Sequence, residues 1–233
     1  PIREALIAAQ DEDRSMQAVA AALTDAGAPD PFRRVVYTES HDEVANGRAR
    51  VPHEIDGEGP AGWAAQKRSA LGAALMFTAA GIPMLFQGQE FLQGGWFDDA
   101  VPLDWDLDET YRGIARLYRD LIALRLDRAG GAAGLSGRET EVLLLDEARK
   151  LLVYRRFEGD GDDGAVVALN FAHQPAEDVS IPLPAGGAWR LRLNTDWEGY
   201  SPDFANFPST DLEGGEGGPD GAAASAAFAI GAY

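Results

Sequence analysis

The sequence predicts an α/β segment followed by an all-β one. Three observations carry this. Two apolar β-rich runs, Arg34–Thr38 and Ile82–Phe86, flank a long apolar helix, which is the βαβ pattern of a parallel sheet. Gly130, Gly131, Gly134 and Gly137 then mark a hinge. Beyond it, short strand-like runs alternate with turn residues, as in an antiparallel sandwich. A domain boundary is therefore placed near residue 130, dividing the chain into 1–130 and 131–233.

The elements follow in order. Ile2, Leu6 and Ala9, then Met16, Val19, Ala20 and Leu23, recur at helical spacing, with a break at Asp11–Asp13. Gly27, Pro29 and Pro31 stop this helical stretch. The run Val35-Val36-Tyr37-Thr38 ends in Glu39-Ser40-His41-Asp42-Glu43, as a buried strand running into a loop does. Residues 44–62 read as a long loop, and loops beyond about 12–15 residues are often functional. Trp63–Ala80 reads as a helix, and Ile82–Phe86 as a strand ending in Gln87-Gly88-Gln89-Glu90. A loop over 91–108 with Trp96, Phe97 and Trp105 leads to a helix over about 109–128. After the hinge, strands are predicted at 141–146, 150–157, 165–170, 177–181, 189–194 and 226–230. The stretch Gly159–Gly164 reads as a hairpin connection, and 213–224 as a flexible Gly/Ala-rich loop.

Composition narrows the function. The 233 residues include 38 acidic and 20 basic side chains, a formal charge of -18, and no cysteine. Disulfides, thiolate metal sites and cysteine nucleophiles are excluded. The charge disfavours nucleic acid and anionic membranes, and leaves a neutral ligand such as a sugar open. The missing cysteines fit a reducing cytosol. Only Lys67 and Lys150 are lysines, which reads either as coding bias with ordinary surface solubility or as adaptation to salt. The longest apolar run, 71–86, is shorter than the ~20 residues that span a bilayer. No signal-peptide pattern opens the chain. It begins at Pro1 without a methionine, which reads as a cut or an omission.

The two polar clusters fall at the carboxyl ends of consecutive parallel strands, the face that carries active sites in α/β barrels. Glu39, His41, Asp42 and Glu43 are thereby expected near Gln87, Gln89 and Glu90. On pattern alone, a carbohydrate or polar-metabolite site stands against a structural salt-bridge network. His53 and His173 lack metal-ligand spacing and read as ordinary surface or loop residues.

Residues Val35–Glu43, followed by Asn46-Gly47, Lys67–Gly72, Gly81–Phe91, Phe97-Asp98-Asp99 and Pro102-Leu103-Asp104-Trp105, resemble glycoside hydrolase family 13, the α-amylase superfamily. The Glu-Ser-His-Asp form and the Gly-Gln-Glu-Phe ending are most similar to 1,4-α-glucan branching enzymes. The resemblance covers roughly residues 30–128, with weaker evidence in the sandwich. It implies the C-terminal part of a (β/α)8 barrel, strands 7 and 8 with their helices, followed by an antiparallel β-sandwich domain. It makes Asp42 the third catalytic carboxylate, a transition-state stabiliser that hydrogen-bonds the sugar at the cleavage point. His41 becomes a contact to the same sugar. For Glu90, a structural hydrogen-bonding role stands beside substrate contact. Trp63, Trp96, Phe97 and Trp105 are candidates to stack on sugar faces, with packing under long loops as the alternative for each. No cofactor and no metal are implied; the partner is an α-glucan, and the compartment the cytoplasm.

The family's nucleophile and general acid/base follow strands 4 and 5, and neither motif is in this chain. The 34 residues before Val35 are too few for six strand–helix units at ~30 residues each. A branching-type enzyme portion is thus expected, inactive alone and, with open strand edges, poorly soluble. An α-amylase-like hydrolase and a non-catalytic glucan-binding or structural relative are the alternatives.

Overall fold

The computed structural model describes residues 1–24, 30–159, 164–218 and 222–233. The Gly27–Pro29 part of the first helix stop and most of the Gly159–Gly164 connection lie outside the described residues.

The N-terminal stretch is helical in two pieces, α1 (Ile2–Ile7) and α2 (Met16–Thr24), with one 3-10 turn at Asp11–Asp13 between them. Arg14 ties this break together: it is buried and donates to the carbonyls of Ala5, Ala8 and Phe171. Strand β1 (Val35–Val36) pairs in parallel with β2 (Ile82–Pro83), and α5 (Trp63–Thr78) connects them. Both strands are shorter than the runs that predict them. Gly81 allows the tight entry into β2: its φ is +133°, and a Cβ there would lie 2.6 Å from Val36.

The loop expected over 44–62 is interrupted by two short helices, α3 (His41–Ala45), which runs into its start, and α4 (Val51–Ile55) within it. Their starts have chemical causes. Ser40 caps α3 by accepting from the Glu43 N–H at 3.3 Å, the first half of a Ser-x-x-Glu capping box. Pro52 sits in the first turn of α4, where its missing N–H has no cost. The helix expected over 109–128 is divided into α6 (Asp106–Thr110) and α7 (Arg112–Arg125).

Beyond the glycines lie two antiparallel sheets. The first has the order β3 (Glu139–Asp146), β4 (Leu151–Phe157), β5 (Ala165–Asn170). The second has the order β6 (Ala176–Leu183), β9 (Ala224–Ile230), β8 (Leu212–Glu216), β7 (Gly187–Trp189). Strand β8 occupies part of the stretch read as a flexible loop. Its Leu-Glu-Gly-Gly-Glu sequence has no strand pattern, and pairing with both β7 and β9 supplies what side chains do not. The expected strand over 189–194 ends at Trp189. Residues 193–204 instead leave the sheet and lay Leu193, Trp197, Tyr200 and Phe204 over α5 and α7.

Alternation along β4 explains the layering. Leu152 and Tyr154 face α1, α2 and α5, while Leu151 and Val153 face the second sheet. The central strand β4 is thus buried on both faces, and the core crosses residue 130. Helix α5 is buried almost all round for the same reason. Buried arginines satisfy its last carbonyls: Arg125 donates to Phe77 and Ala79 at 3.2 and 2.8 Å, and Arg156 to Thr78 at 2.8 Å. Lys67, also buried, pairs with Asp196 at 2.7 Å. No helix among the described residues is long and apolar enough to cross a membrane.

Candidate functional site

Parallel pairing aligns the carboxyl ends of β1 and β2. The Ile82 N–H donates to Arg34 O and the Met84 N–H to Val36 O, both at 2.9 Å. Gln89 then links the two strand ends, donating to Thr38 Oγ1 at 2.5 Å and accepting from the Phe86 N–H at 3.2 Å. The Thr38–Asp42 and Gln87–Glu90 segments are therefore neighbours, which is the juxtaposition expected from the sequence.

Within this cluster, carboxylates three residues apart have opposite environments. Asp42 is 80% exposed at its side chain and lies 3.3 Å from His41 Nε2. The His41 ring meets Phe97 edge-on, with centroids 6.4 Å apart, and Phe97 meets Phe86 at 5.4 Å. Glu39, three residues earlier, is 1% exposed. Its Oε1 accepts the Val51 N–H at 2.7 Å, and its Oε2 lies 3.6 Å from Arg50 Nη1. Burial pushes Glu39 up to about 7, against the pull of the Val51 N–H, Arg50 and Arg3. Burial likewise lowers Arg50, with Glu39 and Glu90 opposing it. Both members of the pair thus lose more to desolvation than their mutual attraction returns.

The remaining predicted residues are dispersed. Glu90 is partly buried, and its Oε2 has no hydrogen-bond partner. Trp96 is 61% exposed. Trp105 packs on Phe91 at 5.4 Å, beside Glu90, and Trp63 on the Tyr233 ring at 5.6 Å. His53 lies on α4, and His173 Nδ1 lies 2.7 Å from Asp11. Among the described residues, no group of three or more acidic or histidine side chains is placed to hold a metal ion.

Sequence reasoning missed Arg50. It falls in the stretch read as a loop, and only the first-turn proline at position 52 hinted that a fixed element follows it. Arg50 donates to Gln87 O at 2.9 Å through Nη1, and its backbone N–H donates to Gly95 O at 2.9 Å. Its guanidinium covers the Phe86 ring at 4.4 Å. One side chain so bridges the loops after both strands. Exposed His41 and Asp42, held between an aromatic wall and a buried ion pair, are suited to hydrogen-bonding a polyhydroxyl ligand.

Residues 143–233 match the family model of the alpha amylase C-terminal all-beta domain. The chain is 34% identical over 166 residues to the 1,4-alpha-glucan branching enzyme GlgB of Novosphingobium aromaticivorans, and 32% identical over 170 residues to that of Mesorhizobium japonicum. Each match covers 69% of this chain and 22% of the relative, so the chain spans about a fifth of the length of these relatives. Among solved structures, gamma-CGTase from alkalophilic Bacillus clarkii is similar in fold, with a TM-score of 0.63 and 16% identity over 93% of this chain and 28% of that one.

Proposed function

We propose that this chain, similar to the C-terminal portion of α-amylase-superfamily proteins and to 1,4-α-glucan branching enzymes among them, belongs to a retaining α-glucan-active enzyme of branching type. The enzyme would cleave an α-1,4-glucan, hold a covalent glycosyl intermediate, and pass it to a 6-hydroxyl of another chain, building a glycogen-type polysaccharide in the cytoplasm. Residues 1–130 would be the C-terminal part of its barrel, with β1 and β2 as strands 7 and 8, and 131–233 its β domain. The supporting observation is that β1 and β2 run parallel and bring Glu39–Asp42 beside Gln87–Glu90 at their carboxyl ends.

In this reading, Asp42 accepts hydrogen bonds from hydroxyls of the sugar at the cleavage point. Such bonds strengthen as the ring flattens toward an oxocarbenium ion, so they lower the barrier. His41 contacts the same sugar, and the exposed Trp96 offers a stacking face. Glu90 sits beside Arg50 and serves the loop more than the sugar. The nucleophile and acid/base come from segments outside this chain, so the 233 residues alone are expected to be inactive.

The test uses the full-length protein that carries this chain. Incubation with amylose should lower iodine staining and create α-1,6 links that a debranching enzyme removes. Asp42→Asn should lower turnover about 10²–10³-fold, as loss of one transition-state contact does, at an unchanged melting temperature. Short oligosaccharides without new branches would replace this reading with a hydrolase. Glucan binding without turnover would replace it with a non-catalytic relative.

A further inference from the structure

Resting on the reading above, we propose that Glu39 is a positioning residue, which holds the start of α3, with His41 and Asp42, against the loop of Phe97 by gripping Arg50. The contacts form one continuous path. Glu39 leaves β1 and binds the first N–H of α4 and the Arg50 guanidinium. Arg50 fixes Gln87 O, Gly95 O and the Phe86 ring; Phe86 supports Phe97, and Phe97 supports His41. Every atom of this path upstream of Phe97 belongs to buried or backbone groups. The exposed end carries the residues that meet the sugar.

The electrostatic surroundings make the grip dependent on ionisation. The charged and titratable groups facing Glu39 and Arg50 are Arg3 on α1, itself 3.7 Å from Glu54 on α4; Glu43 on α3; Glu90 after β2; and Tyr118 on α7. Arg3 and Arg50 favour the ionised carboxylate, while Glu43 and burial oppose it. With Glu39 lying near 7, its charge changes within the working range of most enzymes. A neutral carboxyl keeps its bond to the Val51 N–H but loses the ionic hold on Arg50.

Glu39→Gln separates these two roles. The amide oxygen can still accept from Val51, while its NH2 group meets the guanidinium donor to donor. In the full-length protein, E39Q should lower kcat for glucan transfer on the order of 10²-fold, the effect of a small misplacement of reacting groups, with KM within about twofold. Glu39→Asp keeps the charge and should recover most of the loss. The wild-type kcat should fall on the acid side with an inflection that E39Q lacks. Crystal structures of the full-length protein should show Arg50 withdrawn from Gln87 O and Phe97 displaced from His41 in E39Q, and in the wild type at pH 5 relative to pH 8.5. An unmoved Arg50 in both comparisons, or an E39Q enzyme with wild-type kcat and pH profile, would overturn the proposal. If the wild type transfers and cleaves no glucan, the functional reading fails by itself, and the crystallographic comparison alone decides whether Glu39 holds the loop.

Discussion

Two sheets of this chain are built from similar residues and meet opposite fates. In the antiparallel half, Leu151, Leu152, Val153 and Tyr154 of β4 are each buried, two facing the helices and two facing the second sheet. In the parallel half, Val35 of β1 and Ile82 of β2 are 48% and 49% exposed, and Tyr37 and Leu85 are exposed with them. Burying a Val or Ile side chain contributes roughly 1.5–3 kcal/mol, so the parallel half leaves stabilisation unrealised that the antiparallel half has gained. The difference teaches which half is finished. The sandwich closes on itself and on α1, α2 and α5, whereas among the described residues nothing covers the exposed face of β1 and β2.

The largest effect expected in the finished half concerns the ion pair of Lys67 and Asp196. Residues 193–204 cover α5 and seal it. Asp196 also accepts the N–H groups of Ala205 and Phe207, at 3.2 and 2.9 Å. Asp196→Ala strands a buried ammonium and two backbone donors, and should cost about 3–5 kcal/mol. The denaturation midpoint of the full-length protein measures it. A change below about 1 kcal/mol would mean that this seal opens readily, and that the two halves differ less than their burial implies.

How much of this contrast was legible beforehand depends on where its causes lie. The βαβ unit was written in two β-rich runs around an apolar helix, and β4 in four consecutive apolar residues. The His41–Asp42 pair was legible as a motif after a strand. The capping box Ser40–Glu43 stood in the sequence but was read as a polar loop, because two short helices joined by a polar stretch have no apolar period. Strand β8 was illegible, since Gly214 and Gly215 carry no pattern and partners on both sides impose the conformation. Burial of Glu39 was illegible too: one residue type serves a solvated turn and a dry ion pair, and only the fold of α4 over the strand end distinguishes them.

Glu39 gives the next effect in size, at the boundary between the finished and open parts. Its folded value of about 7 lies above the ordinary 4.5. The stability tied to its neutral form is therefore fully present below pH 4.5 and lost as pH rises through 7. The span corresponds to roughly 3 kcal/mol. E39Q has no proton to lose, and any offset from its unpaired Arg50 is the same at each pH. The melting temperature of E39Q minus that of wild type should thus increase from pH 4.5 to pH 8. A constant difference would show that water reaches the carboxylate and that this strand end is as open as Val35.

The smallest effect is the sharpest test of openness. Val35→Thr exchanges a methyl for a hydroxyl on a side chain half in solvent, so in the 233-residue chain it should change stability by less than about 0.5 kcal/mol. If β1 and β2 are strands of a closed barrel, as proposed, neighbouring strands of the full-length protein cover that face and leave the hydroxyl buried without a partner, at a cost of about 1–3 kcal/mol. The gap between the two measurements reports what lies on β1, independently of any activity. Equal and small effects in both would mean that no strand of the parent covers Val35, and the placing of β1 and β2 within a closed barrel would fail. Equal and large effects would mean that the short chain covers the face itself, by folding differently or by pairing its open strands with a second copy.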